Sequence, residues 1–289
     1  MLLDLRSQMV DSGCIFVPKL LNELQVARLR VICEHTLSQW RVKSPETGKA
    51  HIDDFDEKVM RHLNHPGYFV GRRPWLTELL DIIADPRVLD CVREVFQDEP
   101  LFRCTSLFFN PLSKSQDGNW HRDSQFVTPT EEAERAMVES SAAVVLRGRK
   151  VSSIQLQVAL VPSEDSEYVP GSHLRWDTDE EYRIRKAEGM RNNRSNLMPG
   201  AVRTHQEPGD AAAFDPNGLH RGRYHADKYR RTLMLTYTAM SASRANDYFS
   251  DQPWCLEPDY LQGVQPATRA FFDRFISEYK PFISRSRAK

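Results

Sequence analysis

The sequence predicts a mainly β protein with flanking helices: a cupin-like jelly-roll core of the double-stranded β-helix type behind a helical N-terminal region. Three observations predict it. Helical periodicity dominates the first hundred residues and fades near residue 100. Beyond that point short β-rich runs recur between Gly, Pro, Ser and Asn turns, without the βαβ alternation of a doubly wound sheet. One of these runs, V-S-S-I-Q-L-Q-V-A-L-V-P at 151–162, alternates with period two: Ile154, Leu156 and Val158 stand opposite Gln155, Gln157 and Ala159.

In chain order, Cys14–Val17 is a short apolar segment. Residues 20–40 follow, with Leu24, Val26, Leu29, Ile32, Cys33 and Leu37 near helical spacing, and with Asn22 as N-cap ahead of Glu23. The polar stretch 43–73 carries Pro45, Gly48, Pro66 and Gly71 and reads as a loop or lid. Two short helices are expected at 75–84 and 86–96, the second opened by Pro86 in its first turn. Strands are expected at 101–110, 151–162, 211–214 and 229–240. The insertions 130–141, capped by Thr130, and 177–188 read as exposed helices decorating the surface. Residues 267–279 form an amphipathic helix suited to pack back on the sheet. The chain 1–289 is read as one domain: 1–99 mostly helical, 100–240 the jelly-roll core, and 241–289 a helical extension.

Composition narrows the function classes. With 39 basic and 40 acidic side chains the net charge is −1, so no global field favours nucleic acid or an anionic membrane. Five scattered cysteines without a C-x-x-C argue against a disulfide framework or zinc knuckle and for a reducing compartment. The N-terminus is broken by acids, and no run approaches the roughly 20 apolar residues that span a bilayer. The expectation is a soluble, cytoplasmic protein with a small-molecule substrate and neither nucleic acid nor membrane as partner.

Two segments carry the chemistry. The first is N-W-H-R-D-S-Q-F at 119–126. Side chains two apart on a strand share a face, so His121 and Asp123 can address one ion. With a second histidine from elsewhere they make the 2-His-1-carboxylate facial triad of non-haem Fe(II) oxygenases. Alone, H-x-D is a pattern that chance supplies often. The second segment, 209–237, turns at Gly209-Asp210, enters a short strand, turns again at Pro216-Asn217-Gly218 and reaches His220. On the strand after it, Arg231, Leu233, Leu235 and Tyr237 share the more apolar face, which is expected to point into the barrel. A guanidinium buried there needs an anion. A ligand carboxylate and a structural acid elsewhere in the fold both qualify.

The order H-x-D, then V-P-G-S-H, then G-D-x-x-x-F-x-x-x-x-x-H with an arginine eleven residues on resembles the phytanoyl-CoA dioxygenase family. These are Fe(II)- and 2-oxoglutarate-dependent oxygenases on a double-stranded β-helix. The likeness spans about residues 12–240 and is tight over 119–125, 168–176 and 209–237. It implies that His121, Asp123 and His220 hold the iron and that Arg231 pairs with the distal carboxylate of 2-oxoglutarate, with O2 as the other cosubstrate. His225 stands where relatives often carry asparagine and is placed on the substrate side; His173 is implied to be structural. Gln157 falls about where relatives carry a tryptophan and is assigned to the cosubstrate, a polar outward position being the alternative. Gln125, Gln155 and Arg175 lie near the expected pocket by sequence and are assigned to a polar or acidic substrate. The implied reaction is oxidation, above all hydroxylation, with release of succinate and CO2. Asp123 bears on this, since related halogenases keep that position small to admit chloride. Two rivals stand beside it: a jelly-roll ligand-binding protein without turnover, and a cupin-type metal-dependent isomerase or hydrolase.

Overall fold

The computed structural model describes residues 4–51, 58–242 and 252–286. Along the chain they form α1 (Leu5–Ser12), β1 (Cys14–Val17), α2 (Glu23–Val42), β2 (Val59–Arg61), α3 (Arg73–Ile83), α4 (Pro86–Phe96), β3 (Pro100–Phe108), β4 (Gln116–Asp117), α5 (Glu131–Gly148), β5 (Ser153–Ala159), β6 (Ser166–Tyr168), α6 (Asp179–Arg185), α7 (Ala187–Met190), β7 (Val202–Arg203), β8 (Ala211–Phe214), β9 (His220–Tyr224), β10 (Thr232–Ala239) and α8 (Pro266–Ser286). The strands build two sheets, ordered β1-β8-β5-β10-β3-β2 and β4-β9-β6-β7, with antiparallel pairing throughout. This is the expected jelly roll. The N-terminal region is less purely helical than its pattern suggests, because β1 and β2 supply the two edge strands of the larger sheet. Part of the stretch read as a loop or lid is therefore strand, and its residues 52–57 lie outside the described ones.

Period two decides which side chain sees what. On β10, Leu233, Leu235 and Tyr237 stand level with Val158, Leu156 and Ile154 of β5, and all six are fully buried. They form one core with Leu29 and Cys33 of α2, Leu80 of α3, Val88 and Val92 of α4, and Phe272 and Phe275 of α8. Burying each large apolar side chain there contributes about 1.5–3 kcal/mol. The other face of β10 carries Thr232, Met234 and Thr236, level with Ala159, Gln157 and Gln155 and, across β3, with Phe108, Ser106 and Cys104. That second, more polar face looks into the space between the sheets. The expectation that the apolar face points into the barrel is corrected: it points at the helices.

The local signals of the helices hold. Asn22 and Gln25 close a capping box on α2. Asp85 caps α4 with Pro86 in its first turn. Thr130 caps α5, which runs on to Gly148 because no glycine or proline interrupts it earlier. Helix α8 packs on the sheet as expected, with Phe272 and Phe275 at 5.3 and 5.2 Å from the ring of Phe102. The two insertions are not surface decoration, however. Glu134 of α5 and Glu181 and Arg185 of α6 are buried. Among the described residues no helix is long and apolar enough to cross a membrane.

Candidate active site

His121 and His220 meet as partners in a single antiparallel bridge, each backbone N–H donating to the other's carbonyl at 3.0 Å. The strand expected through 121–123 is reduced to that bridge, and Asp123 instead opens a 3-10 turn over Asp123–Phe126. Its own N–H donates to Pro216 O at 2.9 Å, which ties the turn to the loop ahead of His220. The result brings the three side chains together. Nε2 of His121 and Nε2 of His220 lie 3.7 and 3.5 Å from Asp123 Oδ1, and the three ligand atoms all fall within 4.8 Å of one another.

The far side of each ligand is already committed. His121 Nδ1 sits 2.8 Å from Asn119 O and His220 Nδ1 sits 3.0 Å from Gly218 O. A carbonyl can only accept, so each Nδ1 carries the proton and each Nε2 turns a lone pair toward the shared centre. Gln155 Nε2 donates to Asp123 Oδ2, leaving Oδ1 as the inward oxygen. Burial pushes His121 down to about 4, and the neighbouring His220 adds to this against the opposing charge of Asp123. Burial alone would raise Asp123, but hydrogen bonding and charge from His220, then His121 and Gln155, bring it below the ordinary carboxylate value. Neutral imidazoles and an ionised carboxylate are the protonation states a divalent ion requires. The donor set fits iron(II). Gly218 is held to glycine by contact: a Cβ there would lie 1.8 Å from the Tyr168 hydroxyl.

Between the two candidate ligands on the chain, Arg122 points the other way and is fully buried. Its guanidinium donates to Asp177 Oδ1 from Nε and Nη2 at 3.0 and 2.8 Å, and to the carbonyls of Ser172 and Asn217 at 2.7 and 2.5 Å. Asp177 Oδ2 also accepts from Arg185 Nε at 2.6 Å, and Arg185 Nη1 donates to Glu134 Oε1 at 2.8 Å. Lys186 Nζ reaches the other oxygen of Glu134 at 2.7 Å. The ring of Trp176 lies 5.0 Å from the Arg185 guanidinium and 5.9 Å from that of Arg122. A buried charge network thus backs the segment that carries His121 and Asp123. The acid-rich W-D-T-D-E-E run reads as solvated in the sequence, so this network is not legible there.

The remaining expected site residues divide. Gln155 supports Asp123. Gln157 lies on the inner face, where its Oε1 accepts from the Ser166 hydroxyl at 2.5 Å. Gln125 Oε1 accepts from Arg185 at 3.3 Å and so belongs to the charge network. Arg175 pairs with Glu181 at 2.6 and 2.8 Å and lines neither cavity beside the site. His225 follows the end of β9 away from His220, and its buried Nε2 meets no partner among the described residues. Arg231 shares the helix-facing side of β10. It donates from Nε and Nη2 to the carboxylate of Glu34 on α2, the second contact at 3.0 Å. Its neighbour Arg230 faces inward and is 1% exposed, its guanidinium 5.3 Å from the Phe108 ring and 5.0 Å from that of Tyr224. Among the described residues, Asp165 Oδ2 is the carboxylate oxygen near Arg230, 3.6 Å from its Nε. Arg230 is thus an inward, buried arginine beside the outward Arg231, and the parity of β10 is the signal in the sequence that distinguishes the two.

Among the described residues, two cavities reach the site. One of about 210 Å³ opens on Asp123 and is lined by Gln155, Met234, Thr236, Ser106, Arg61 and Arg103 among others. A larger one of about 460 Å³ reaches His220 past Phe16, Ala212, Phe214, Tyr168 and Gln157.

Residues 10–232 match the model of the phytanoyl-CoA dioxygenase (PhyH) family. The chain belongs to the phytanoyl-CoA dioxygenase family. Membership brings iron(II) and 2-oxoglutarate as cofactors and oxygenase chemistry as the reaction class. Solved structures with this phytanoyl-CoA dioxygenase fold include EctD from S. alaskensis with 2-oxoglutarate and 5-hydroxyectoine, at 19% identity over 93% of this chain and 86% of that one, TM-score 0.58. AviO1 from Streptomyces viridochromogenes Tue57 is 16% identical over 83% of this chain and 96% of its own, TM-score 0.57. The non-heme α-ketoglutarate-dependent carbocyclase SnoK from nogalamycin biosynthesis is 17% identical over 83% and 84%, TM-score 0.55. At these identities the likeness is one of fold. No curated relative matches the sequence.

Proposed function

We propose that this phytanoyl-CoA dioxygenase family member hydroxylates a small organic substrate, with His121, Asp123 and His220 holding iron(II). The observation that carries the reading is the convergence of two Nε2 atoms and one carboxylate oxygen whose opposite atoms are all engaged by the protein. When bound, iron(II) and 2-oxoglutarate supply the oxidising chemistry: O2 is consumed, 2-oxoglutarate leaves as succinate and CO2, and one oxygen enters the substrate. The protein's part is orientation. Gln155 fixes the rotation of Asp123, and the Asn119 and Gly218 carbonyls fix the two imidazoles. The presence of a carboxylate at position 123 favours hydroxylation over halide transfer.

For 2-oxoglutarate we assign the distal carboxylate to Arg230 and not to Arg231. Strand β9 carries the chain from His220 to Tyr224, about 13 Å at ordinary strand rise, and Arg230 lies against Tyr224. An inward arginine at the far end of that strand suits a dicarboxylate whose other end is at the metal, and its planar fork matches a carboxylate. Arg231 already has Glu34. Gln157 shares the inner face with Met234 and lines the cavity that reaches His220.

The test is anaerobic addition of Fe(II) and 2-oxoglutarate to the apoprotein. A visible metal-to-ligand charge-transfer band is expected in the wild type and absent from His121→Ala. Wild-type protein with stoichiometric iron and no band would refute the assignment. In air, succinate release against a metabolite panel identifies the substrate, and the mass of its product separates hydroxylation from a redox-neutral rearrangement or ring closure.

A further inference from the structure

Iron and 2-oxoglutarate leave the larger of the two cavities, about 460 Å³, without an assigned ligand. It lies between the two sheets, on the side where β1 and β7 form their edges. Its floor is a row of side chains level with one another across three strands: Phe16 on β1, Ala212 on β8 and Gln157 on β5. Its roof is the inner face of the smaller sheet, where Tyr168 stands level with His220 on one side and Val202 on the other. Period two puts Glu167, Arg203 and Arg221 on the opposite face of that sheet. They are engaged there: Arg221 Nε donates to Glu167 Oε2 at 2.5 Å, and Arg203 Nε to the Glu164 carbonyl at 2.5 Å. Among the described residues, the inner wall therefore carries no charged side chain. Two features make it a binding site and not a packing gap. Alanine at 212 leaves the floor open between Phe16 and Gln157, where a larger side chain would fill it. Gln157 is 6% exposed; the Ser166 hydroxyl holds its Oε1, while its Nε2 meets no partner among the described residues. A buried amide donor is costly unless an acceptor is brought to it.

We propose that this cavity holds the substrate, a neutral and largely apolar molecule with one oxygen that accepts from Gln157 Nε2. The proposal rests on the iron reading above, because His220 marks the end of the cavity at which oxidation takes place. An ionised group would lose its water against Phe16, Ala212, Phe214 and Val202 with no opposite charge to meet it. A carbonyl or ether oxygen loses less and regains a hydrogen bond from Gln157. The volume falls within the roughly 300–1,000 Å³ of small-molecule sites. Phe16 and Val202 stand exposed at the mouth, apolar surface that such a molecule would cover on entering between β1 and β7. The inner face of the larger sheet changes character to match: polar at Gln155, Thr236 and Ser106, apolar at Ala212, Phe214 and Phe16. The assignment replaces the expected polar or acidic substrate, whose supposed contacts serve the protein: Gln125 meets Arg185, Gln155 meets Asp123 and Arg175 meets Glu181. It also moves Gln157 from the cosubstrate to the substrate.

The experiment uses full-length protein loaded with Fe(II) and saturating 2-oxoglutarate under nitrogen, with Prodan as the probe. Prodan is a neutral naphthyl ketone whose emission brightens in apolar surroundings and moves to longer wavelength when its carbonyl accepts a hydrogen bond. It should bind saturably, and 2-acetylnaphthalene should displace it. The anion 2-naphthoate, of similar shape, should displace it less well by roughly tenfold or more. Ala212→Leu should weaken Prodan binding roughly tenfold or more, and Ala212→Val by less. Gln157→Met keeps the length of the side chain and removes the donor. It should weaken Prodan roughly two- to tenfold and move the emission of the bound dye to shorter wavelength. The charge-transfer band, recorded on the same samples, reports folding and the metal site independently of the dye and should persist in every variant. Its absence from the wild type would count against the iron reading. With the band intact, the substrate proposal fails if Prodan does not bind, if Ala212→Leu binds it as tightly as the wild type, or if 2-naphthoate displaces it as well as the ketone. It fails equally if Gln157→Met leaves the emission of the bound dye unchanged, or weakens 2-oxoglutarate in place of Prodan.

Discussion

Two adjacent arginines just ahead of β10 face opposite ways, and their substitution should separate cleanly. Arg230→Gln removes an inward cation that is 1% exposed. Truncating one partner of a buried, hydrogen-bonded charge pair costs about 2–5 kcal/mol, and each 1.4 kcal/mol is about tenfold in affinity. The dissociation constant for 2-oxoglutarate should therefore rise by about 30-fold to about 4,000-fold. Arg230→Lys keeps the charge but loses the planar fork, and should fall between. Arg231→Gln breaks the pair with Glu34, whose side chain is 44% exposed. Solvent screens such a pair to about 1 kcal/mol or less, a fall in melting temperature of about 2–4 °C, with 2-oxoglutarate affinity unchanged. The assay is anaerobic titration of 2-oxoglutarate into Fe(II)-loaded protein, followed by the charge-transfer band, beside thermal unfolding by circular dichroism. If affinity collapses in Arg231→Gln and survives in Arg230→Gln, the argument from strand parity is wrong.

Three further outcomes follow from the same geometry. Gln155→Leu strips Asp123 Oδ2 of its donor and should weaken iron binding about 10–100-fold; an unaltered iron titration would show that Asp123 needs no such support. Arg185→Met leaves the buried carboxylates of Asp177 and Glu134 short of a cation and should destabilise by about 3–5 kcal/mol, read as a melting temperature lower by roughly 5–15 °C. A shift under about 2 °C would mean that the network is not what holds this side of the barrel. Gly218→Ala drives a methyl to 1.8 Å from the Tyr168 hydroxyl, displacing the turn whose carbonyl orients His220. Iron affinity should drop, and Tyr168→Phe in that background should restore part of it, because the oxygen in the way is gone.

What the sequence discloses and what it hides differ by range. The H-x-D at 121–123 and the later histidine are legible because metal-ligand chemistry is written in residue types, and the turn before His220 is written in Pro216, Asn217 and Gly218. Capping residues such as Asn22, Asp85 and Thr130 are equally local. The charge network escapes the sequence reading because its pairs are far apart along the chain: Arg122 meets Asp177 across 55 residues and Arg185 meets Glu134 across 51. The bulge at Arg103 is a property of two strands' register, which neither strand shows alone.

The direction in which β10 faces is hidden in another way, since its alternation is fully visible in the sequence and the side it turns inward is not. A sheet with one buried face turns its apolar side to that face. The larger sheet here has two buried faces, one against helices and one against a ligand cavity, and they compete for the apolar side chains. The helix layer takes Leu233, Leu235 and Tyr237, because the side chains that α2, α3, α4 and α8 pack against them are mostly apolar. The cavity face keeps Thr232, Met234 and Thr236, and with them the inward arginine. In a barrel that encloses polar ligands, the more polar of two buried faces is therefore the inner one. Arg122 follows the same logic on a smaller scale. It stands between two side chains that turn toward the metal centre, and it turns away into carboxylates that only a buried network could supply. The two helices that read as decoration provide that network, so the rigidity of the ligand segment depends on elements that nothing in the sequence connects to the site.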